Sequence, residues 1–100
     1  MLMTLAKFQA RSGAVSSLLD LARTLVEHSR TETGCLEYGC YQDVMDSDTL
    51  LLVGRWTGQE ALEMHCESTH FRDLVRQFGD WVVEAPPSVS LYDVMEMDHL

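Results

Sequence analysis

The chain has 100 residues, a formal net charge of −9 and a hydrophobic fraction of 46%. This length is enough for one hydrophobic core and too short for two, and the composition is that of a globular protein. An acidic chain cannot supply the lysine and arginine stripe that neutralises phosphates, so neither nucleic acid nor an anionic membrane is an expected partner. The sequence therefore predicts a single domain over residues 1–100.

The N-terminal segment and the cysteines indicate a reducing, cytoplasmic location. The first residues lack the basic start and long apolar run of a signal peptide, and the longest aliphatic run, residues 50–53, is far too short to cross a bilayer. An odd number of cysteines without a C-x-x-C motif is typical of free thiols. Cys35 and Cys40 lie five positions apart on one predicted strand and should point to opposite faces, so they cannot form a disulfide with each other. Cys66 and its neighbouring histidines match no ligand spacing of a known metal site, so no metal is expected.

Hydrophobic periodicity predicts the elements of the first half of the chain. These are a strand over residues 2–10, an amphipathic helix over residues 14–31, and strands over residues 35–44 and 49–56. Gly34 follows the helix and should act as its C-cap. Asp46, Ser47 and Asp48 have the composition of a turn, so the second and third strands should form a hairpin.

The second half of the chain predicts two short helices and a last strand. Thr57 and Glu60 have the spacing of a capping box, with Thr57 as the N-cap of a helix over residues 59–66. Ser68 should cap a second helix, which ends at Gly79. Two prolines at positions 86 and 87 impose an extended chain, and residues 89–97 predict the last strand.

The order β-α-β-β-α-β indicates an α+β protein with the ferredoxin-like split βαβ arrangement, an antiparallel sheet with helices on one face. The other face of such a sheet is open and should carry polar side chains at alternate positions. The third strand does not alternate, because residues 50–53 are all aliphatic. This pattern predicts a homodimer in which a second copy covers the open face. A deeper core within one chain is the alternative.

Two histidines lie in the helical segments of the second half. On the helix from Gln59, the inward stripe consists of Ala61, Leu62 and His65, so His65 should face the sheet near Trp56. His70 lies in the first turn of the next helix, where unpaired N–H groups disfavour a positive charge. Both imidazoles are expected to be neutral. His65 is either a hydrogen-bonded core residue or a functional one, and His70 is either a cap that joins the two helices or a functional residue.

Several segments resemble the antibiotic biosynthesis monooxygenase family. They are GCLEY (34–38), GRW (54–56), QEAL (59–62) and HCESTHF (65–71). The resemblance covers nearly the whole chain in the same order of elements, with Thr69 at a position where the family usually has proline. It implies a dimeric α+β barrel built from the ferredoxin-like fold, with a pocket between the sheet and the helices.

The resemblance also implies a function and a set of site residues. Some members of the family oxidise quinols or polyketide phenols without metal or flavin, so the implied activity is a cofactor-independent monooxygenase acting on a quinol or a related phenol. His65 would be the catalytic base or hydrogen-bond donor, Trp56 a stacking wall and Tyr38 an orienting hydroxyl. The further substrate-binding positions are Leu62, His70 and Phe71.

Other branches of the family provide alternatives. Haem-degrading relatives need an asparagine, a tryptophan and an iron-ligating histidine at the positions that hold Ala6, His65 and Val75 in this chain, so haem degradation is not expected. Processing or isomerisation of a phosphorylated signal sugar remains open, although Arg55, Arg72 and Arg76 are the few basic residues near the motif. A dimeric module that binds a small molecule without catalysis is the third possibility. A polyketide-oxidising relative has tyrosine where this chain has Leu62.

Overall fold

The structure is a computed structural model that describes residues 1–84 and 88–96. Within these ranges the elements are β1 (Leu2–Gln9), α1 (Val15–Ser29), β2 (Cys35–Gln42), β3 (Thr49–Trp56), α2 (Gln59–Glu67), α3 (Thr69–Phe78) and β4 (Ser88–Asp93). The two prolines of the sequence and the last residue of the predicted strand 89–97 lie outside the described residues. The described part of β4 begins one residue earlier and ends at Asp93.

The strands form one antiparallel sheet in the order β2-β3-β1-β4. This order places β1 and β3 side by side in the middle and confirms the ferredoxin-like prediction. In the register of the central pair, Phe8 lies opposite Leu50 and Leu5 lies opposite Val53. None of the helices in the described ranges is long and apolar enough to span a membrane.

The apolar third strand serves both faces of the sheet. Leu50, Leu52 and Trp56 are buried beneath the helices, in a core that also contains Leu18 and Leu25 of α1. The residues between them, Leu51, Val53 and Arg55, are only partly buried on the opposite face. Because strand side chains alternate, the continuous aliphatic run supplies one apolar row to the core and another to the open face.

Gly34 has a different role from the predicted helix C-cap. Helix α1 ends at Ser29, with Arg30 as its C-cap, and Gly34 follows after a further turn with φ +83°. A Cβ at this glycine would lie 2.5 Å from the Cβ of Ala61 and 2.8 Å from Oγ1 of Thr57. The carbonyl of Gly34 also accepts a hydrogen bond from the Thr57 amide at 2.9 Å. Gly34 therefore lets the α1–β2 turn contact the start of α2 directly.

Gly34→Ala is expected to lower the free energy of unfolding by about 2–5 kcal/mol, because the left-handed backbone and the contact with Ala61 both become unfavourable. Gly13→Ala is the matched control, since Gly13 has φ +78° with no atom within 4 Å of the added methyl group. The control should lose only about 1–2 kcal/mol. Urea unfolding of both variants measures the difference, and equal losses would show that the contact with Ala61 costs nothing.

The predicted caps of the two later helices are only partly correct. The capping box is wrong, because Gly58 is the N-cap of α2 and no side chain caps this helix. Ser68 does occupy the N-cap position of α3, but its hydroxyl donates to the carbonyl of His65 at 2.8 Å and accepts no hydrogen bond from the first amides of α3. This bond closes the end of α2, so the two helices meet at a tight corner beside His65.

The cysteines are unpaired as predicted, although their geometry differs from the prediction. Cys35, Cys40 and Cys66 are free. A β-bulge between Cys35 and Glu37 adds one residue to β2, and both Cys35 and Cys40 pack against the core. The prediction that they point to opposite faces is therefore wrong, because the bulge shifts the alternation by one position.

Candidate active site

An apolar cavity of about 200 Å³ is lined by side chains of the sheet and of helices α2 and α3. The polar residues of its wall are Thr4, Tyr38, His65 and Cys66. Among the described residues, no lysine, arginine, aspartate or glutamate lines this cavity. Val89 of β4 forms part of the wall and is 62% exposed, so the cavity opens beside this edge strand. The cavity therefore suits a small, uncharged and largely apolar ligand.

His65 is a buried member of this wall and is held by a carboxylate from a distant part of the sequence. Its ring is 3% exposed, and its Nδ1 lies 2.6 Å from Oε1 of Glu32. A carboxylate can only accept, so Nδ1 carries the proton and Nε2 is left with a free lone pair. No hydrogen bond joins Nε2 to another group within residues 1–84 and 88–96. The arrangement gives an oriented imidazole with an available acceptor nitrogen.

The turn after α1 positions Glu32. The amide of Glu32 donates to the carbonyl of Ser29, and its carbonyl accepts from the amide of Cys35, both at 3.1 Å. The Arg30 guanidinium donates through Nε to the Tyr38 carbonyl at 2.8 Å and fixes the same turn to β2. These bonds, together with the contact between Gly34 and α2, hold the carboxylate beneath the helix that carries His65.

The protonation states of the titratable residues on the cavity wall follow from their burial. Burial lowers the pKa of His65, although the hydrogen bond and the charge of Glu32 oppose this shift. His65 is therefore neutral near pH 7, as a general base must be. Burial raises the pKa of Tyr38 and of Cys66. The Tyr38 phenol consequently remains protonated and can donate a hydrogen bond to a ligand oxygen.

Aromatic rings surround His65. The ring centroids of Trp56 and Phe71 both lie 4.4 Å from that of His65, and the centroid of Tyr38 lies 5.2 Å away. Tyr38, Phe71 and Leu62 line the cavity. Trp56 is fully buried behind His65 and is not part of the cavity wall. His65 thus faces the sheet near Trp56, as the helical spacing predicted, while Trp56 contacts the imidazole without reaching the cavity, where a stacking wall would have to lie.

His70 lies outside the cavity and contacts α1. Its ring stacks on that of His28 with centroids 4.5 Å apart, and its Nε2 lies 3.9 Å from Oε2 of Glu32. His70 therefore links α3 to α1, in place of the predicted link between α2 and α3. The structure thus brings His65, Tyr38, Leu62 and Phe71 together at the cavity and leaves Trp56 and His70 one layer behind them.

The positions at which haem-degrading relatives carry polar residues also lie on the cavity. Ala6 and Val75 both line it, and neither side chain can ligate iron or donate a hydrogen bond. In the described part of the chain, no group of three histidine, cysteine, aspartate or glutamate residues is placed to hold a metal ion.

Sequence reasoning missed Glu32, which is 33 positions away from His65. An acidic residue in a helix-to-strand turn is a common solvent-exposed feature, so its position alone carries no signal. The available signal was indirect, because a histidine on an inward helical stripe needs a hydrogen-bond partner. The sequence around Cys66 raised only the question of a metal ligand, and it did not indicate that Cys66 lies on the cavity wall.

The fold and the cavity define a small α+β protein of ferredoxin-like topology with an apolar cavity between its sheet and its helices. Comparison with known proteins identifies the family. Residues 1–77 match the family model described as antibiotic biosynthesis monooxygenase. The chain therefore belongs to the antibiotic biosynthesis monooxygenase family, as its motifs predicted.

Individual relatives agree with this assignment. The chain is 31% identical to YcnE of Bacillus subtilis (strain 168) over 78 residues, which cover 78% of this chain and 81% of YcnE. It is 29% identical to protein sll1783 of Synechocystis over 80% of its own length, but the match spans only 54% of that longer protein. The chain also superposes with a TM-score of 0.87 on a crystal structure of an antibiotic biosynthesis monooxygenase, to which it is 30% identical in sequence. The superposition covers 96% of this chain and 100% of the other.

Proposed function

We propose that the chain is a cofactor-independent monooxygenase that oxidises a quinol or a related phenol, with His65 as the general base. One observation carries the proposal: a neutral imidazole, held at Nδ1 by Glu32, forms part of the wall of an otherwise apolar cavity. An ionised phenol is a strong reductant, and an apolar site that accepts its proton favours transfer of its electrons to oxygen. Membership of the family supports the same chemistry.

The reaction balances without an external reductant. The phenolic O–H bond breaks heterolytically and its proton passes to Nε2 of His65. The phenolate then reduces O₂, and one oxygen atom forms a bond to a ring carbon. Loss of the hydrogen on that carbon yields a carbonyl or hydroxyquinone product, while the second oxygen atom leaves as water. The substrate supplies all four electrons.

The neighbouring side chains would orient the ring. The Tyr38 hydroxyl can donate to a second substrate oxygen, while Phe71 and Leu62 offer apolar contacts on the helix side. Trp56 packs against His65 and would restrict its rotation. We assign neither Trp56 nor His70 to direct contact with substrate.

The cavity is less suited to the alternative substrates. A phosphorylated sugar needs cationic or N–H donors for its phosphate, and no basic side chain in the described part of the chain lines the cavity. A non-catalytic binding module would keep the cavity and would bind phenols without consuming oxygen. The activity measurement below separates this possibility from the monooxygenase.

We further propose that the protein acts as a homodimer in a reducing cytoplasm, where its thiols stay free. The open sheet face supports the dimer, because it carries an apolar strip of Met3, Leu5, Leu51 and Val53 in the centre. Tyr41 on β2, which lies opposite Leu51, extends the strip and is 52% exposed. An apolar sheet face of this kind favours burial against a second copy.

Oxygen consumption by the purified, metal-free protein with a panel of hydroquinones and phenols tests the activity. We expect consumption above the uncatalysed rate for at least one neutral phenol, with one atom of ¹⁸O₂ incorporated into the product. Hydrogen peroxide without label in the product would indicate a simple quinol oxidase. Thermal stabilisation by phenols without oxygen consumption would contradict the proposal and identify a binding module.

A further inference from the structure

A row of acidic and imidazole side chains connects the cavity to the protein surface. Glu32 contacts His65 through Oε1 at 2.6 Å and faces Nε2 of His70 through Oε2 at 3.9 Å. The Nε2 atom of His70 is buried and has no hydrogen-bond partner within the described ranges. The His70 ring stacks on His28, which is exposed. One carboxylate thus lies between the buried imidazole of the cavity and a pair of imidazoles that reaches solvent.

The other titratable groups near Glu32 do not exchange protons near neutral pH. They are the thiols of Cys35 and Cys66 and the phenol of Tyr38. Burial raises the pKa of each group, and the charge of Glu32 adds to the rise. Each of them therefore keeps its proton. The row continues from Glu32 through His70, whose Nε2 atom faces Oε2 of the carboxylate and whose ring stacks on the exposed His28.

We propose that Glu32 and His70 form a proton-transfer route between His65 and the solvent beside His28. The role rests on the proposed function and adds to it a path for the proton that the substrate releases. Glu32 and His70 act through His65 and do not touch the substrate. The route is needed because the cavity wall is apolar and a cation retained on the buried His65 ring is poorly solvated.

The transfer can be written atom by atom. Nε2 of His65 takes the phenolic proton, and the Nδ1 proton passes to Oε1 of Glu32. The neutral carboxyl group then turns about its Cγ–Cδ bond, which brings the same protonated oxygen to Nε2 of His70. His70 accepts this proton and releases its Nδ1 proton to water beside His28. No electron moves along the route. A complete monooxygenation exchanges no net proton with solvent, so the same path in reverse protonates the reduced oxygen and restores His65.

Besides the turn of the carboxyl group, the route requires Glu32 and His70 to approach each other. At 3.9 Å the two atoms are too far apart for a hydrogen bond. A displacement of about 1 Å closes the gap, which is within the thermal amplitude of side chains in folded proteins.

Two measurements on the full chain test the route. The first is the exchange with water of the His65 Nδ1 proton, followed by NMR of ¹⁵N-histidine-labelled protein without substrate. His70→Phe retains a ring to stack on His28 but removes both nitrogens, and we expect exchange to slow by about tenfold or more. Thr69→Gln, at the exposed preceding position of α3, is the matched control and should exchange as the parent protein does.

The second measurement is turnover in weakly buffered solution. His70→Phe should lower kcat by about tenfold at unchanged KM, and free imidazole should restore the rate. A purely structural role for His70 would change the melting temperature without imidazole rescue. If His70→Phe does not fold, His70→Gln replaces it, because an amide can hydrogen-bond but does not relay a proton.

The outcomes separate this inference from the proposed function. Absence of oxygen consumption by the parent protein would refute the monooxygenase, and the exchange measurement would still decide the route. Unchanged Nδ1 exchange in the His70 variant would overturn the route, whatever the activity.

Discussion

His65→Ala is expected to lower turnover by about 10²-fold or more, the usual effect of removing a general base. The physical reason is that His65 lines the cavity and has Nε2 available as a proton acceptor, while Oε1 of Glu32 lies 2.6 Å from Nδ1 and orients the ring. Oxygen consumption under saturating phenol measures kcat. A His65→Ala protein with normal turnover and a lowered melting temperature would show that His65 is only a hydrogen-bonded core residue.

A second variant and a pH profile sharpen this test. His65→Gln keeps a hydrogen-bonding group but cannot accept a proton, so it should preserve substrate affinity better than rate. In the parent protein, activity should fall when acid protonates His65. Because burial lowers the pKa of His65 below the ordinary value of 6.5, the acidic limb of the kcat/KM profile should lie below pH 6.5. A limb above that value would contradict the assignment.

Leu51→Asp is expected to dissociate or unfold the proposed homodimer. Leu51 is central on the open face, opposite Lys7 of β1 and Tyr41 of β2. An aspartate there would bring a charge into the interface, and even an ion pair with Lys7 would have to lose its hydration on burial. Light scattering at micromolar concentration should give about twice the chain mass of 11.3 kDa for the parent protein. The variant should give the mass of one chain or lose its cooperative unfolding transition.

Two matched variants show which face of the sheet forms the dimer interface. Leu52→Asp makes the same change on the helix-facing side, where Leu52 is 7% exposed, and should abolish folding of the chain itself. Val44→Asp makes a comparable change in the β2–β3 turn, where Val44 is 97% exposed, and should leave both mass and stability unaltered. A parent protein that is monomeric, or a Leu51→Asp protein that remains dimeric, would remove the open sheet face as the interface.

The relation between sequence and structure differs between elements. The strands and helices of the first 80 residues follow hydrophobic periodicity. Each element buries one stripe or face, and the spacing of its apolar residues therefore matches the period of the element. Caps and turns were less predictable. Thr57 and Glu60 have capping-box spacing, yet the Thr57 side chain does not cap α2 and its amide instead donates to Gly34. A contact between segments distant in sequence outweighed the local signal there.

The candidate site likewise combines features that local sequence predicted with features that depend on contacts between distant segments. The helical stripe predicted that His65 faces the sheet near Trp56, and the motifs of its segment indicated the family. The partner of His65 could not be inferred, since Glu32 reaches it only after the α1–β2 turn folds against α2. The bulge in β2 similarly placed Cys35 and Cys40 together on the core side. The sequence by itself thus determined the order of elements, the inward histidine and the family. Only the tertiary structure decided which acid holds that histidine and which residues face the cavity, because those contacts join segments whose separation no local periodicity encodes.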